Sequence, residues 1–466
     1  MNNRTQSRFA GKIRASLLLM LSIAFAGEAF AQNGKLAGQP VAGYRARRQK
    51  LMEQIKDGIV VLIGAREDEF GEVGRFRQKN DFMYLTGVET PAAYLVLVPA
   101  VVSKNKSAQE TLFIPPRNLF QERWTGPQIG PGTEAEQKFG IKEVAGSDKF
   151  NERLRELLTK TNGGDGQSML KLYTVVPTGS AAELTRESRF IETIRRDMPM
   201  LQIEDVSRII AEMRKVKSSS EVALLQKAID ITGEAQREAA RAIKPGAYEY
   251  EVQAALEAAF TRNGAERAGF PSIVGSGFNS TVLHYNENRK RIEADDTVVV
   301  DIGAEYSYYT ADITRTYPAS GKFTSRQREV YELVLEAQRA AERAYKPGMS
   351  IAQLNRVAIE VMKASKVRDK QGNTLDKYFI HGLGHWLGMD VHDVGSYGPM
   401  PVGSVITIEP GIYIPEEKLG VRIEDDYLVT ETGLVKLSRN IPSDPDEIER
   451  LMSGARVAHA GRSLLR

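Results

Sequence analysis

The chain has 466 residues, enough for two domains, and its 42% hydrophobic and 26% charged residues describe an ordinary globular protein rather than a disordered or fibrous one. The formal net charge is only +3 and the basic residues form no run or stripe, which argues against a nucleic-acid partner. There is no cysteine, so disulfides, a zinc ribbon, a lipoprotein attachment site and a thiol nucleophile are all excluded.

In chain order, Arg4, Arg8, Lys12 and Arg14 precede an apolar run over 15–26, and Ala29-Phe30-Ala31 follows, with Gln32 next. This is the three-part pattern of a cleaved secretory signal over 1–31, and the run is too short for a permanent membrane helix. The expectation is a secreted or periplasmic protein without a stable membrane anchor. A first domain is expected over 44–206, opening with a charged helix at 45–56. Apolar strands are predicted at 58–64, 93–99, 111–115 and 169–176, alternating with helices as in an α/β layer domain. The boundary falls near 209–217, where Ser218-Ser219-Ser220-Glu221 predicts the start of a helix. A second domain is expected over 209–441, followed by a polar tail, 442–466, with one short helical pattern at 447–457.

The second domain contains an internal echo. Helix, Lys244-Pro245-Gly246-Ala247, helix is one copy, and helix, Lys346-Pro347-Gly348-Met349, helix is the other. Two copies are too few for a solenoid, which leaves a duplicated α+β half with a site between the halves. Pro-Gly is common turn chemistry, so coincidence is the alternative.

Five segments of this domain combine acids or histidines with strand-like flanks. Thr297-Val298-Val299-Val300 runs into Asp301, and alternation in 309–316 places Thr310, Asp312 and Thr314 on one face. The spacing suggests a hairpin with Asp301 and Asp312 side by side. Two buried carboxylates repel, so one must protonate or a cation must lie between them. Either acid alone would fit a solvated turn; both together, on strands this apolar, fit it poorly. The third segment, His381-Gly382-Leu383-Gly384-His385-Trp386-Leu387-Gly388-Met389-Asp390-Val391-His392, holds three of the chain's five histidines. A lone histidine is usually a satisfied structural residue; three in twelve residues are harder to read that way. His284 follows a glycine loop, and His459 reads as an exposed bystander. Val405-Ile406-Thr407-Ile408 ends in Glu409-Pro410-Gly411, and alternation in 420–426 puts Arg422, Glu424 and Asp426 on one face. Several carboxylates with an imidazole suit harder divalent ions, manganese above all, with zinc or cobalt also able to bind. Four carboxylates carry a charge that two divalent ions neutralise, so a two-metal site is expected.

These segments resemble the aminopeptidase P and prolidase group of the pita-bread metallopeptidases, whose other branches include methionine aminopeptidase and creatinase. The likeness covers nearly the whole mature chain. The 381–392 run, Ile408-Glu409-Pro410-Gly411 and Val421-Arg422-Ile423-Glu424-Asp425-Asp426 are its most specific parts. Phe76-Arg77-Gln78-Lys79-Asn80-Asp81-Phe82-Met83-Tyr84-Leu85-Thr86-Gly87 looks like the N-terminal module of aminopeptidase P. The resemblance implies an α+β protein, an N-terminal α/β domain followed by a pita-bread domain with an internal pseudo-twofold repeat. It implies Asp301, Asp312, His385, Glu409 and Glu424 as ligands of two metal ions, with Asp312 and Glu424 bridging. It further implies His284, His381 and His392 as pocket histidines, Glu409 as proton acceptor, and Tyr413 and Arg422 as supporting residues. Trp124 is similar to a pocket tryptophan that one subunit lends another, although the residues after it depart from the family's basic pattern. The implied reaction is hydrolysis, by metal-activated water, of the bond between an N-terminal residue and a following proline. The implied partners are peptides with proline second and further copies of the chain, as a dimer or tetramer. A prolidase confined to dipeptides, a non-catalytic binding protein and a metal-storage protein are the alternatives.

Overall fold

The computed structural model describes residues 35–67, 75–103, 105–161, 170–179 and 185–454. The expected signal segment, His459 and the end of the 447–457 pattern lie outside these residues. The chain divides into two compact units between Ile209 and Ile210. Among the described residues no helix is long and apolar enough to cross a membrane.

The N-terminal unit is built on a six-stranded mixed sheet. Its strands run, edge to edge, Glu143–Gly146, Gln109–Ile114, Tyr94–Val98, Gly58–Ile63, Lys171–Thr174 and Ile203–Asp205. Gly58–Ile63 pairs antiparallel with Tyr94–Val98 and parallel with Lys171–Thr174. It is buried along its whole length, which explains an apolar sequence without alternation. Phe150, at the start of the Phe150–Thr161 helix, stacks on Tyr94 at 4.0 Å and meets Phe113 edge-on at 5.5 Å. The 76–87 motif forms the helix Asn80–Thr86, which ends at Gly87 in the left-handed region.

The second unit repeats one pattern twice. Helices Ser219–Ala242 and Glu249–Arg262 precede an antiparallel sheet of Ile273–Ser276, Thr297–Ile302 and Ile313–Pro318. Helices Ser325–Ala344 and Ile351–Ala364 precede a second, of Val405–Ile408, Asp425–Thr430 and Gly433–Lys436. Gly246 and Gly348 turn the two helix pairs with φ of 91° and 88°, a region open to glycine at little steric cost. The first long helix starts where Ser218 and Glu221 cap each other, and the third is capped likewise by Thr324 and Gln327.

The duplication extends to a pair of buried glutamines, each eight residues before the lysine of its Lys-Pro-Gly turn. Gln236 donates from Nε2 to the carbonyls of Val300 and Ile313 at 3.2 and 2.8 Å. Gln338 donates to those of Ile408 and Ile423 at 3.0 and 3.2 Å. Each of these four carbonyls belongs to a neighbour in sequence of an expected metal ligand. The tail is not separate from this unit. Helix Pro445–Met452 sends Ile448 and Leu451 into its core, so the packed structure continues past Ile441.

Candidate metal centre

Asp301 is the last but one residue of the Thr297–Ile302 strand, but it faces Thr314 in the ladder rather than Asp312. The expected simple hairpin is interrupted. Residues Ala304–Tyr306 and Tyr309–Thr310 pair with each other in a separate small sheet, and the chain rejoins the ladder only at Ile313. Thr310 therefore leaves the face expected for it, and its N–H goes to the carbonyl of Gly388. Asp312 reaches the site from the residue just before the strand.

On the other side, Glu409 follows the Val405–Ile408 strand and Glu424 lies between the strands Leu419–Arg422 and Asp425–Thr430. Asp426 does not share the pocket with Arg422 and Glu424; its Oδ2 accepts the N–H of Asp312 at 3.2 Å. His385 is carried by a segment running along Val405–Ile408, fastened by Thr407 N–H to His385 O at 3.0 Å and Glu409 N–H to Leu383 O at 2.8 Å. Gly384 makes that approach possible, because a Cβ there would lie 2.1 Å from the carbonyl oxygen of Thr407.

The expected metal ligands and pocket histidines line one cavity of about 360 Å³ together with Arg422, Leu283, Gly382, Gly384 and Tyr397, whereas Tyr413 and Trp124 do not line it. Asp312, His385 and Glu424 present oxygen or nitrogen atoms within 4.8 Å of one another. His385 Nε2 lies 3.4 Å from Asp312 and 3.3 Å from Glu409. Its Nδ1 lies 3.0 Å from the Trp386 carbonyl, which can only accept, so the proton sits on Nδ1 and Nε2 is left to face the carboxylates. Asp301 is drawn aside to Arg422, at 2.7 Å.

Tyr413 stands behind the wall. Arg422 Nη1 donates to its hydroxyl at 3.0 Å, and the hydroxyl bonds His381 Nε2 at 2.8 Å. The Nδ1 of His381 faces the Gly382 carbonyl at 2.8 Å, so Tyr413 is the donor to Nε2. Arg422 Nε also donates to Thr314 Oγ1 at 3.1 Å, and that hydroxyl donates to Glu424 Oε2 at 2.7 Å. Thr314 and Tyr397 are the residues sequence reasoning did not assign to the site. Alternation put Thr314 on the correct face, but only the register reveals its bond to Glu424.

The electrostatics describe a cluster short of positive charge. Burial, reinforced by Asp301, pushes Asp312 up to about 7. Burial and the charges of Asp312, Glu409 and Asp301 raise Glu424 well above the usual carboxylate range. Burial works against the ionised form of Glu409 too, but the hydrogen bond and charge of His385 outweigh it and hold the group low. Burial opposes the cation at His385 and is outweighed by Asp312 and Glu409, which raise it. His381 and His392 are lowered, first by burial, and His392 next by the nearby His385.

One oxygen of each of Asp301, Asp312 and Glu424 is buried without a hydrogen-bond partner. Uncompensated carboxylate oxygens of this kind are costly in a protein interior. A divalent cation would satisfy them, and an oxygen-rich set with one imidazole suits such an ion. The residues present therefore fit a metal centre. A second cavity, of about 710 Å³, lies within the N-terminal unit, lined in part by Pro91, Pro115, Pro116 and Pro127, and has no comparable acid–histidine cluster.

Residues 223–431 match the family model "Metallopeptidase family M24", and 44–163 match "Aminopeptidase P, N-terminal domain". Over 443 residues the chain is 36% identical to the Xaa-Pro aminopeptidase of Escherichia coli (strain K12), covering 89% of this chain and 98% of that protein. It is 33% identical to the Xaa-Pro aminopeptidase of Haemophilus influenzae, covering 90% and 99%. The solved structure of zinc-substituted E. coli aminopeptidase P in complex with product superposes with a TM-score of 0.79 at 33% identity, covering 90% of this chain and all of that one. The chain belongs to metallopeptidase family M24, in the group that carries the aminopeptidase P N-terminal domain, and is a metal-dependent hydrolase.

Proposed function

We propose that the chain is an Xaa-Pro aminopeptidase, hydrolysing the bond between an N-terminal residue and a following proline. The observation that carries this reading is the convergence of four carboxylates and four histidines on one cavity, in a chain alignable with named Xaa-Pro aminopeptidases over nearly their full length. Asp301, Asp312, His385, Glu409 and Glu424 would hold two divalent ions. The donor set favours manganese, with zinc and cobalt also compatible. Bound there, the ions would polarise the scissile carbonyl and supply water of lowered pKa.

The protein's own groups then have separate tasks. Glu409, at the edge of the cavity, accepts a proton from the attacking water at a carboxylate oxygen. His392 and His284, on the cavity wall, donate N–H groups to the substrate carbonyl oxygen as negative charge develops on it. His381 is locked between Tyr413 and the Gly382 carbonyl, so its ring offers a rigid wall to the proline side of the substrate. A proline bond has no N–H and a restricted φ, so pairing with a strand edge cannot select it and a shaped wall must.

The deciding assay loads the chelated protein with manganese, zinc or cobalt and offers Xaa-Pro-Xaa, Xaa-Pro and Xaa-Ala-Xaa peptides side by side. Cleavage of the first alongside resistance of the third supports the proposal. Turnover confined to the dipeptide would assign a prolidase, and no turnover with any ion would leave a binding protein.

The signal pattern supports export, with 1–31 removed and Gln32 leading the mature chain; N-terminal sequencing of the secreted or periplasmic protein checks this, and a retained Met1 counts against it. A homo-oligomer, dimer or tetramer, is also proposed. Leu119, Phe120 and Trp124, all more than two-thirds exposed, offer an apolar patch for it, and light scattering tests it.

A further inference from the structure

Glu249 is a fully buried acid outside the cavity, and among the described residues it makes no ion pair. It opens the helix Glu249–Arg262 and gathers its partners from a single loop. Oε1 accepts from Ser276 N–H and Ser276 Oγ, both at 2.7 Å, and from Asn279 Nδ2 at 3.1 Å. Oε2 accepts from the Tyr285 hydroxyl and the Lys290 N–H, both at 2.8 Å. One oxygen thus holds the entrance to the 277–290 loop and the other holds its exit. His284 lies between them, next to Tyr285.

The loop has reason to need such a tie. Its first residue, Gly277, has φ of 56°, and a Cβ there would meet Asp296 Oδ1 at 2.3 Å, so the turn is committed at its start. His284 itself is exposed on the cavity rim, with its ring 6.3 Å from that of His392, and among the described residues no hydrogen bond fixes the imidazole. Its position is set by the backbone, and that backbone is tied at Tyr285. The tyrosine hydroxyl continues the tie by accepting the Arg289 N–H at 3.2 Å.

From this we infer that Glu249, acting through Tyr285, is a positioning residue for His284: a single carboxylate pins both ends of the loop so that the imidazole meets the substrate carbonyl. The inference rests on the catalytic reading of His284 given above. A carboxylate is the group the geometry requires. In Glu249→Gln, an amide nitrogen at the Oε2 position would face the Lys290 N–H, donor against donor, whereas the Tyr285 hydroxyl could turn to accept. Tyr285→Phe removes only the tie nearest His284 and leaves the buried acid its other four donors.

The test uses both variants as full-length mature protein. With five histidines in the chain, ring C–H resonances are few enough to assign, and the His284 signal is read in metal-free protein. In both variants it should shift or broaden while the His381 and His385 signals stay in place. In manganese-loaded protein, kcat for an Xaa-Pro-Xaa peptide should fall about tenfold with KM within about twofold, because a displaced donor is lost mainly in the transition state. Metal content should be unchanged, and the Tyr285→Phe unfolding midpoint should stay within about 2 °C of the parent. An unmoved His284 signal would overturn the inference. So would unchanged kcat, or a fall in kcat matched by loss of metal or of fold. Should Glu249→Gln not fold, Tyr285→Phe decides alone. If the parent protein cleaves no Xaa-Pro peptide, the functional reading fails, while the metal-free resonance still reports whether the loop is held this way.

Discussion

Asp312 and Glu424 concentrate the strain of the metal-free centre. Each is buried among other carboxylates, each has an oxygen without a hydrogen-bond partner, and both are raised by burial and by their neighbours. Asp312→Ala or Glu424→Ala should reduce turnover by at least about a thousandfold and weaken metal binding in calorimetric titration. The same changes should make the chelated protein more stable to heat than its parent, because they remove repulsion as well as a ligand. Full turnover in either variant would contradict the assignment. The sign of the pH effect follows from the same groups. Acids whose pKa is raised by folding, and a histidine raised by its partners, stabilise the fold at low pH and lose that contribution as pH rises through the folded values. With Asp312 raised from the ordinary carboxylate range to about 7, the chelated protein should lose stability as pH rises from about 4 to about 7, and bound metal should flatten that fall. Thermal unfolding across that range, with and without metal, measures it. The acids and histidines were legible in the sequence because apolar strand runs ending in acid, and clustered histidines in a histidine-poor chain, are rare without a purpose. Thr314 was not assigned, because its bond to Glu424 depends on a register that the 304–310 excursion sets.

At the level of elements, the two buried glutamines are the parts the duplicated pattern did not disclose. The paired Lys-Pro-Gly turns were readable as turn chemistry, but a glutamine in a helix carries no signal of burial. Gln236 and Gln338 each fasten the backbone beside two expected ligands, so they fix ligand spacing from the helix layer. Replacing either by leucine leaves two buried carbonyls without this donor, a loss of about 2–4 kcal/mol in urea unfolding, and should weaken metal affinity about tenfold. If metal affinity is unchanged although stability falls, these side chains hold the sheets without tuning the centre. The expected Asp301–Asp312 pairing failed for a related reason. Alternation gives the face of a strand, whereas a short sheet inserted between two strands changes which residues oppose each other.

The whole molecule comprises two units, each with its own buried core, and the expected metal ligands all lie in the second. Metal added to the chelated protein stabilises what it binds by mass action. Hydrogen exchange should therefore slow in Thr297–Ile302, Ile313–Pro318, Val405–Ile408 and Asp425–Thr430, with little change in Gly58–Ile63 or Tyr94–Val98. Equal slowing in both sheets would contradict a metal centre confined to the second unit. The alternation of strands and helices in the first unit was readable from hydrophobic pattern. The burial of Ile448 and Leu451 was not, because a short amphipathic stretch in a polar tail does not name the surface it will cover.

Arg422 and Asp301 touch across 121 residues of chain. A polypeptide growing from its N-terminus has both aspartates long before it has Glu409 and Glu424, so no early fragment carries the full cage. Cation capture is therefore a late event, available only after the strands from Val405 onward have arrived, and it rewards completed molecules alone. A product cut short before Leu419 would keep buried acids with no full set of partners to neutralise them, and would be the first to open to a protease.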